Sequence, residues 1–113
     1  MSLAIQKAEF FKQDYAIRFA WYVGEAGPEV ARRFQGALDL SLNKLVSDPD
    51  LGRRRRFRNA RLQDLRSIQI ERPFNKLLVF YPVSGDVLHA VRLMHGARDL
   101  SRRLSEPPVS DVS

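Results

Sequence analysis

The chain has no cysteine, only two histidines and one tryptophan in 113 residues. Without cysteine there are no disulfides, no thiolate metal ligands and no thiol nucleophile, a composition that suits a reducing cytoplasm. His89 and His95 do not stand at a zinc-like spacing with carboxylates, so neither a metal nor a cofactor is expected. Long apolar runs are missing as well. No stretch reaches the roughly 18 apolar residues that span a bilayer, and Met1–Lys7 carries no signal-type apolar segment. A cytoplasmic protein without membrane contacts is the expectation.

What the sequence does have is positive charge, unevenly spread. Lys and Arg number 19 against 13 Asp and Glu, for a formal net charge of +6 and a pI near 10.3. Residues 1–52 hold six basic and seven acidic residues, a net of −1, whereas residues 53–113 hold thirteen and six, a net of +7. Such a half points to a polyanion, an acidic protein partner or a nucleoprotein machine. With 44% hydrophobic and 28% charged residues the chain has the composition of a folded protein, and its length suits one domain.

Periodicity supplies the elements. Leu3–Gln6 alternates and reads as a short first strand. From Ala8 to about Ala26, Phe11, Tyr15, Phe19 and Tyr22 recur at helical spacing, with Phe10, Ile17 and Trp21 in a second stripe about 100° away. A helix apolar over so much of its circumference has aromatics to offer a partner, so Phe11, Tyr15, Phe19 and Trp21 are expected to divide between core and interface. Gly27-Pro28 breaks this helix and opens a second one, in which Val30, Phe34, Leu38, Ser41 and Leu45 follow helical steps until Asp48-Pro49-Asp50-Leu51-Gly52.

Seven arginines then stand between positions 53 and 66 against the single acid Asp64, in a stretch that reads as a loop feeding a strand. Ile68–Ile70, Leu77–Tyr81 and Val87–Met94 follow as strands with short connections, which gives an antiparallel meander whose middle strand is buried on both faces. A short helical turn to about Leu104 precedes a proline-containing segment, 105–113, expected to be a flexible tail. The fold class is α+β, one domain over 1–104, with the helical hairpin on one face of the sheet.

These elements carry recognisable residues in a fixed order: Ala31-Arg32-Arg33-Phe34, Pro49-Asp50-Leu51-Gly52, Leu65-Arg66, Val79-Phe80-Tyr81 and Arg92-Leu93-Met94-His95-Gly96-Ala97-Arg98-Asp99. Together they resemble the ParE-type toxins of the RelE/ParE superfamily, over nearly the whole chain to about Leu104. The resemblance implies a type II toxin encoded beside an acidic, ParD-like antitoxin whose C-terminal segment folds over the toxin. ParE relatives act on DNA gyrase and stall replication, and plasmid stabilisation is among the family's roles; RelE relatives cut mRNA on the ribosome. The isolated toxin is then either a monomer or a homodimer joined through an apolar helix face.

A ribonuclease would need a base for the 2′-OH, an acid for the leaving oxygen and cations on the phosphate. Arg61, Arg66 and Arg92 are the available clamps, with His95 or Tyr81 as proton carrier, and strand alternation would let Arg92 project onto an open sheet face. Against this, His95 is followed by Gly96 and the chain runs on through Arg98-Asp99, where an Asp99 helix cap or a structural ion pair is the plainer role. A binding-type inhibitor would instead use Arg92, His95 and Arg98 as target contacts and need no catalytic group. A degenerate toxin that only binds antitoxin is a third reading. The arginine run, Arg53, Arg54, Arg55, Arg56 and Arg58, has its own alternatives: a solvated loop, a docking strip for the acidic antitoxin beside the aromatics of the first helix, or a nucleic-acid contact with only Phe57 within it for stacking.

Overall fold

Glycine and proline set the boundaries of the helical half. The structure, a computed structural model, describes residues 3–96 and 100–108. Helix α1 (Glu9–Ala26) stops at Gly27, whose φ of 94° suits only glycine and whose N–H donates back to the Val23 carbonyl at 3.1 Å. Helix α2 (Pro28–Ser47) starts on Pro28, where a missing N–H has no consequence, and gives way at Asp48 to a 3₁₀ turn, Pro49–Leu51.

Among the described residues seven strands follow one another as β1 (Ala4–Lys7), β2 (Arg53–Arg54), β3 (Arg66–Gln69), β4 (Leu77–Tyr81), β5 (Val83–Ser84), β6 (Val87–Ala90) and β7 (Arg92–His95), and a short helix α3 (Leu100–Leu104) comes after them. A four-stranded antiparallel sheet has the order β2-β3-β4-β7; a smaller sheet has the order β1-β6-β5, with β1 parallel to β6. The α+β architecture of strand, helical hairpin, antiparallel strands and short C-terminal helix is as the sequence predicts.

Two details differ. The apolar run Val87–Met94 is two strands, because the β4–β5 and β6–β7 hairpin bends from one sheet into the other. His89 N–H donates to Pro82 O at 3.0 Å and Val91 N–H to Phe80 O at 2.9 Å, so the arms stay joined across the bend, where Pro82 has no N–H to continue the ladder. The start of the arginine run is also a strand, Arg53 pairing with Ser67 and Arg54 with Arg66.

Strand alternation divides the core in two. Val79 and Tyr81 point to the helices and meet Phe11, Phe34, Leu38 and Leu45, where the rings of Tyr15, Tyr22, Phe34 and Phe74 lie 5.0 to 5.7 Å apart between centroids. Leu78 and Phe80 point the other way, into a smaller cluster with Leu62, Leu65, Met94 and Leu104. All five residues of β4 are therefore buried. The sheet face opposite the helices is not the open surface expected of it, since the 60–65 segment and α3 cover a large part. Just past α3, Ser105 Oγ donates to Ser101 O at 3.1 Å and the Glu106 carbonyl accepts from Arg92; residues 109–113 lie outside the described residues.

Candidate functional site

Arg92 was the sequence's best candidate for a free cation, and the structure withdraws it from solvent. It is 6% exposed. Its Nε donates to Asp14 Oδ2 at 2.8 Å and its Nη2 to Asp14 Oδ1 at 3.2 Å, a two-pronged pair with α1. Nη1 faces the carbonyls of Arg103, Leu104 and Glu106 at 3.2, 3.3 and 2.6 Å, so the guanidinium caps the C-terminal end of α3, where helix carbonyls have no partner of their own. Asp14 Oδ2 also accepts the Leu93 N–H at 2.9 Å. With its donors spent on α1 and α3, Arg92 is a tie between elements and cannot clamp a phosphate or touch a target.

Tyr81 is likewise an internal tie. It is fully buried, its hydroxyl donating to Pro49 O at 2.8 Å and accepting from Gly52 N–H at 2.9 Å. Burial pushes its pKa up, so the phenol stays protonated and does not serve as a base. A Cβ on Gly52 would stand 2.2 Å from that hydroxyl, which is why the turn needs glycine. Arg66 meets the same turn from β3, donating to Gly52 O at 2.9 Å and pairing with Asp50 at 3.4 Å. The Pro-x-Leu-Gly, Leu-Arg and Tyr elements of the sequence pattern thus converge on one structural knot.

His95 borders a cavity. It lies at the end of β7 beside a groove of about 930 Å³ over the uncovered part of the sheet, with Arg53, Arg55, Ser67, Gln69 and Lys76 among the lining. Burial, then Arg18, Lys76 and Arg103, push its pKa below the usual imidazole value. Among the described residues no acid is among the groups acting on it, so none of them orients it as a proton carrier in the manner of a catalytic dyad. Arg61 is exposed on a 3₁₀ turn (Ala60–Leu62) and does not line the groove. The expected roles of Arg98 and Asp99 lie outside the described residues.

Alternation also sorts the arginine run. Arg53 and Arg55 line the groove, while Arg54, Arg56 and Arg58 are exposed outside its lining. Arg55 Nε donates to Ser67 Oγ at 2.7 Å and its guanidinium stands 5.8 Å from the Phe80 ring centre; burial and then Arg53 lower its pKa. Ser67, Gln69 and Lys76 were missed in the sequence. The available signal was that Ser67 and Gln69 share one side of β3, opposite the side taken by Ile68.

The aromatics of α1 differ in burial. Phe11 is 1% exposed and belongs to the core, whereas Tyr15, Phe19 and Trp21 are half-buried. Phe10, not singled out as a contact residue, is 41% exposed and lies 5.6 Å beneath the Arg92 guanidinium. Between α1 and α2 a cleft of about 320 Å³ has Phe11, Tyr15 and Leu38 in its wall and the exposed Lys7, Lys12 and Asp39 around it. A neighbouring groove shares those three charged residues and runs past Ile5 on β1, the edge of its sheet. The aromatic and arginine parts of the expected antitoxin site therefore occupy separate surfaces. No helix among the described residues is long and apolar enough to cross a membrane.

Comparison with solved structures finds a match at a TM-score of 0.67 and 17% identity, over 83% of this chain and 96% of the other, to a protein of the chromosomal ParDE TA system from P. aeruginosa. Comparison with curated proteins gives no match. The model of the family described as the ParE toxin of the type II toxin-antitoxin system parDE matches residues 7–100. A match over that much of the chain, with helical hairpin, turn knot and bent hairpin all inside it, makes the chain a member of the ParE toxin family of type II toxin-antitoxin systems.

Proposed function

We propose that the chain is a binding-type toxin that inhibits DNA gyrase and is neutralised by an acidic, ParD-like antitoxin. The observation that carries this reading is the internal saturation of Tyr81 and Arg92. Of the five residues a ribonuclease could have drawn on, Arg66, Tyr81 and Arg92 are engaged in holding turns and helices, and among the described residues no acid orients His95. Inhibition by binding requires none of these groups.

The antitoxin's apolar anchors fit the cleft between α1 and α2, where Tyr15 offers part of a ring and Lys7 and Lys12 offer charge; Phe19 and Trp21 extend the same helix. Burying aromatic surface gives affinity, and the lysines together with Arg54, Arg56 and Arg58 steer an acidic segment toward the toxin. Purified toxin is to be tested in a gyrase supercoiling and cleavage-complex assay beside ribosome-dependent mRNA cleavage, each with and without antitoxin. Gyrase inhibition relieved by antitoxin, with mRNA intact, is the expected result. Codon-register cutting of mRNA with gyrase unaffected would overturn the reading.

A further inference from the structure

The groove over the sheet is a large concavity that the ties just described do not explain. Its lining holds Arg53, Arg55 and Lys76 and, among the described residues, no carboxylate. Arg53 and Lys76 also have no acidic ion-pair partner among the described residues; the salt bridges of this half belong to Arg66, Arg92 and Arg102. Like charges gathered without counter-ions repel one another, so the groove presents a concentrated positive field. Burial holds His95 below its usual pKa, and the charges of Arg18, Lys76 and Arg103 add to the shift in the same direction.

The rest of the lining narrows the ligand. Ser67, Gln69 and Asn75 add neutral hydrogen-bonding groups between the cations, the set that contacts phosphate and sugar oxygens. No phenylalanine, tyrosine or tryptophan lines the groove: Phe80 is fully buried beneath Arg55 and Phe57 packs into the smaller core. Single-stranded nucleic acid is held largely by stacking bases on such rings, whereas a duplex is held by its phosphates. The groove's own apolar lining, Leu51, Ile68, Leu78 and Leu100, is aliphatic, whereas the half-buried aromatic anchors that an acidic peptide of the antitoxin kind would seek stand on α1.

We infer that this groove binds the phosphodiester backbone of double-stranded DNA, without reading its bases, through Arg53, Arg55 and Lys76. The contact deepens the gyrase reading, because a toxin with such a groove engages the DNA segment that the enzyme handles as well as the protein. It rests on that reading only for where the DNA is met; binding to free duplex is measured without gyrase.

The test must separate a site from the pull of a protein with net charge +6. Binding of a fluorescent 20-base-pair duplex is measured across a salt series for the wild type, for Arg53→Glu with Lys76→Glu, and for Arg32→Glu with Arg33→Glu, which makes the same charge change on α2. The groove variant is expected to lose at least tenfold in affinity and to flatten the log–log salt slope by about 2, while the α2 variant loses less than about twofold. Should the glutamates prevent folding, Arg53→Ala with Lys76→Ala serves in their place with a smaller loss in the same order. Equal losses for groove and α2 variants would reduce the binding to net charge and overturn the site. Tighter binding of single-stranded DNA of the same length would overturn the duplex assignment, as would a polyglutamate peptide that binds as tightly and with the same variant sensitivity. Intact duplex binding in a protein that leaves gyrase untouched would sink the gyrase reading and leave the groove standing.

Discussion

The two faces of the four-stranded sheet start from the same alternation and end differently. The face toward α1 and α2 is closed by large side chains, from Phe34 at its centre to Leu88. The opposite face is closed only in part, by Leu62, Leu65 and Leu104, and the remainder is a groove in which cations and polar groups stand among aliphatic side chains such as Leu51 and Ile68. One face has been given over to stability, while the other is divided between a small core and a surface free to bind. That division leaves a domain of this size with a groove on the same sheet that carries its core.

The comparison can be broken first at its strongest points. Phe34→Ala opens a cavity on the helix face and should lower unfolding free energy in urea by about 3–5 kcal/mol. Arg92→Ala leaves Asp14 buried without its cation and should lose about 3–5 kcal/mol; it should also speed amide exchange over residues 100–108, an effect Phe34→Ala lacks. Unchanged exchange there would mean that Arg92 does not hold α3. Tyr81→Phe leaves the Gly52 N–H and the Pro49 carbonyl short of a partner, and a loss of about 1–3 kcal/mol is expected by the same denaturation.

The smaller effects sharpen the contrast. His95 is held neutral in the fold, its pKa lowered by burial and by Arg18, Lys76 and Arg103 from the usual 6.5. As pH falls through 6.5 the unfolded chain takes up a proton that the folded chain resists, so stability declines until pH passes below the folded value. His95→Gln should therefore show a shallower decline than the wild type in melts over that window; identical slopes would remove the positive field from the account. Arg54→Ala, exposed on a two-residue strand, should shift stability by no more than about 0.5 kcal/mol.

Much of the fold was legible because it is written in local signals. Gly27-Pro28 and the Pro49-to-Gly52 turn mark both ends of α2, and the unbroken run Leu77–Tyr81 gives the strand buried on both faces. The site was harder. Alternation says that Arg92 and Phe80 share a side, but not that α3 would come back over it; that depends on Leu100 and Leu104 finding Leu62 and Leu65 from across the chain. Two adjacent aromatics on α1 have opposite fates, Phe11 buried and Phe10 exposed, because periodicity supplied two apolar stripes and only the packed partner selects between them. The bend at Pro82 and Val91 was missed since both arms read as good strands and the change of sheet depends on tertiary packing.

The Arg92 tie has a consequence for how the protein is made. Its partners stand at position 14 and at positions 103, 104 and 106, so the junction closes only when almost the whole chain is available. A nascent chain leaving the ribosome can form its helical hairpin early, yet Asp14 has no cation until Arg92 emerges, and Arg92 Nη1 has no carbonyls to meet until residues 103–106 follow. Products that stop short of residue 106 lack those carbonyls, so the tie between α1, β7 and α3 is completed late in synthesis.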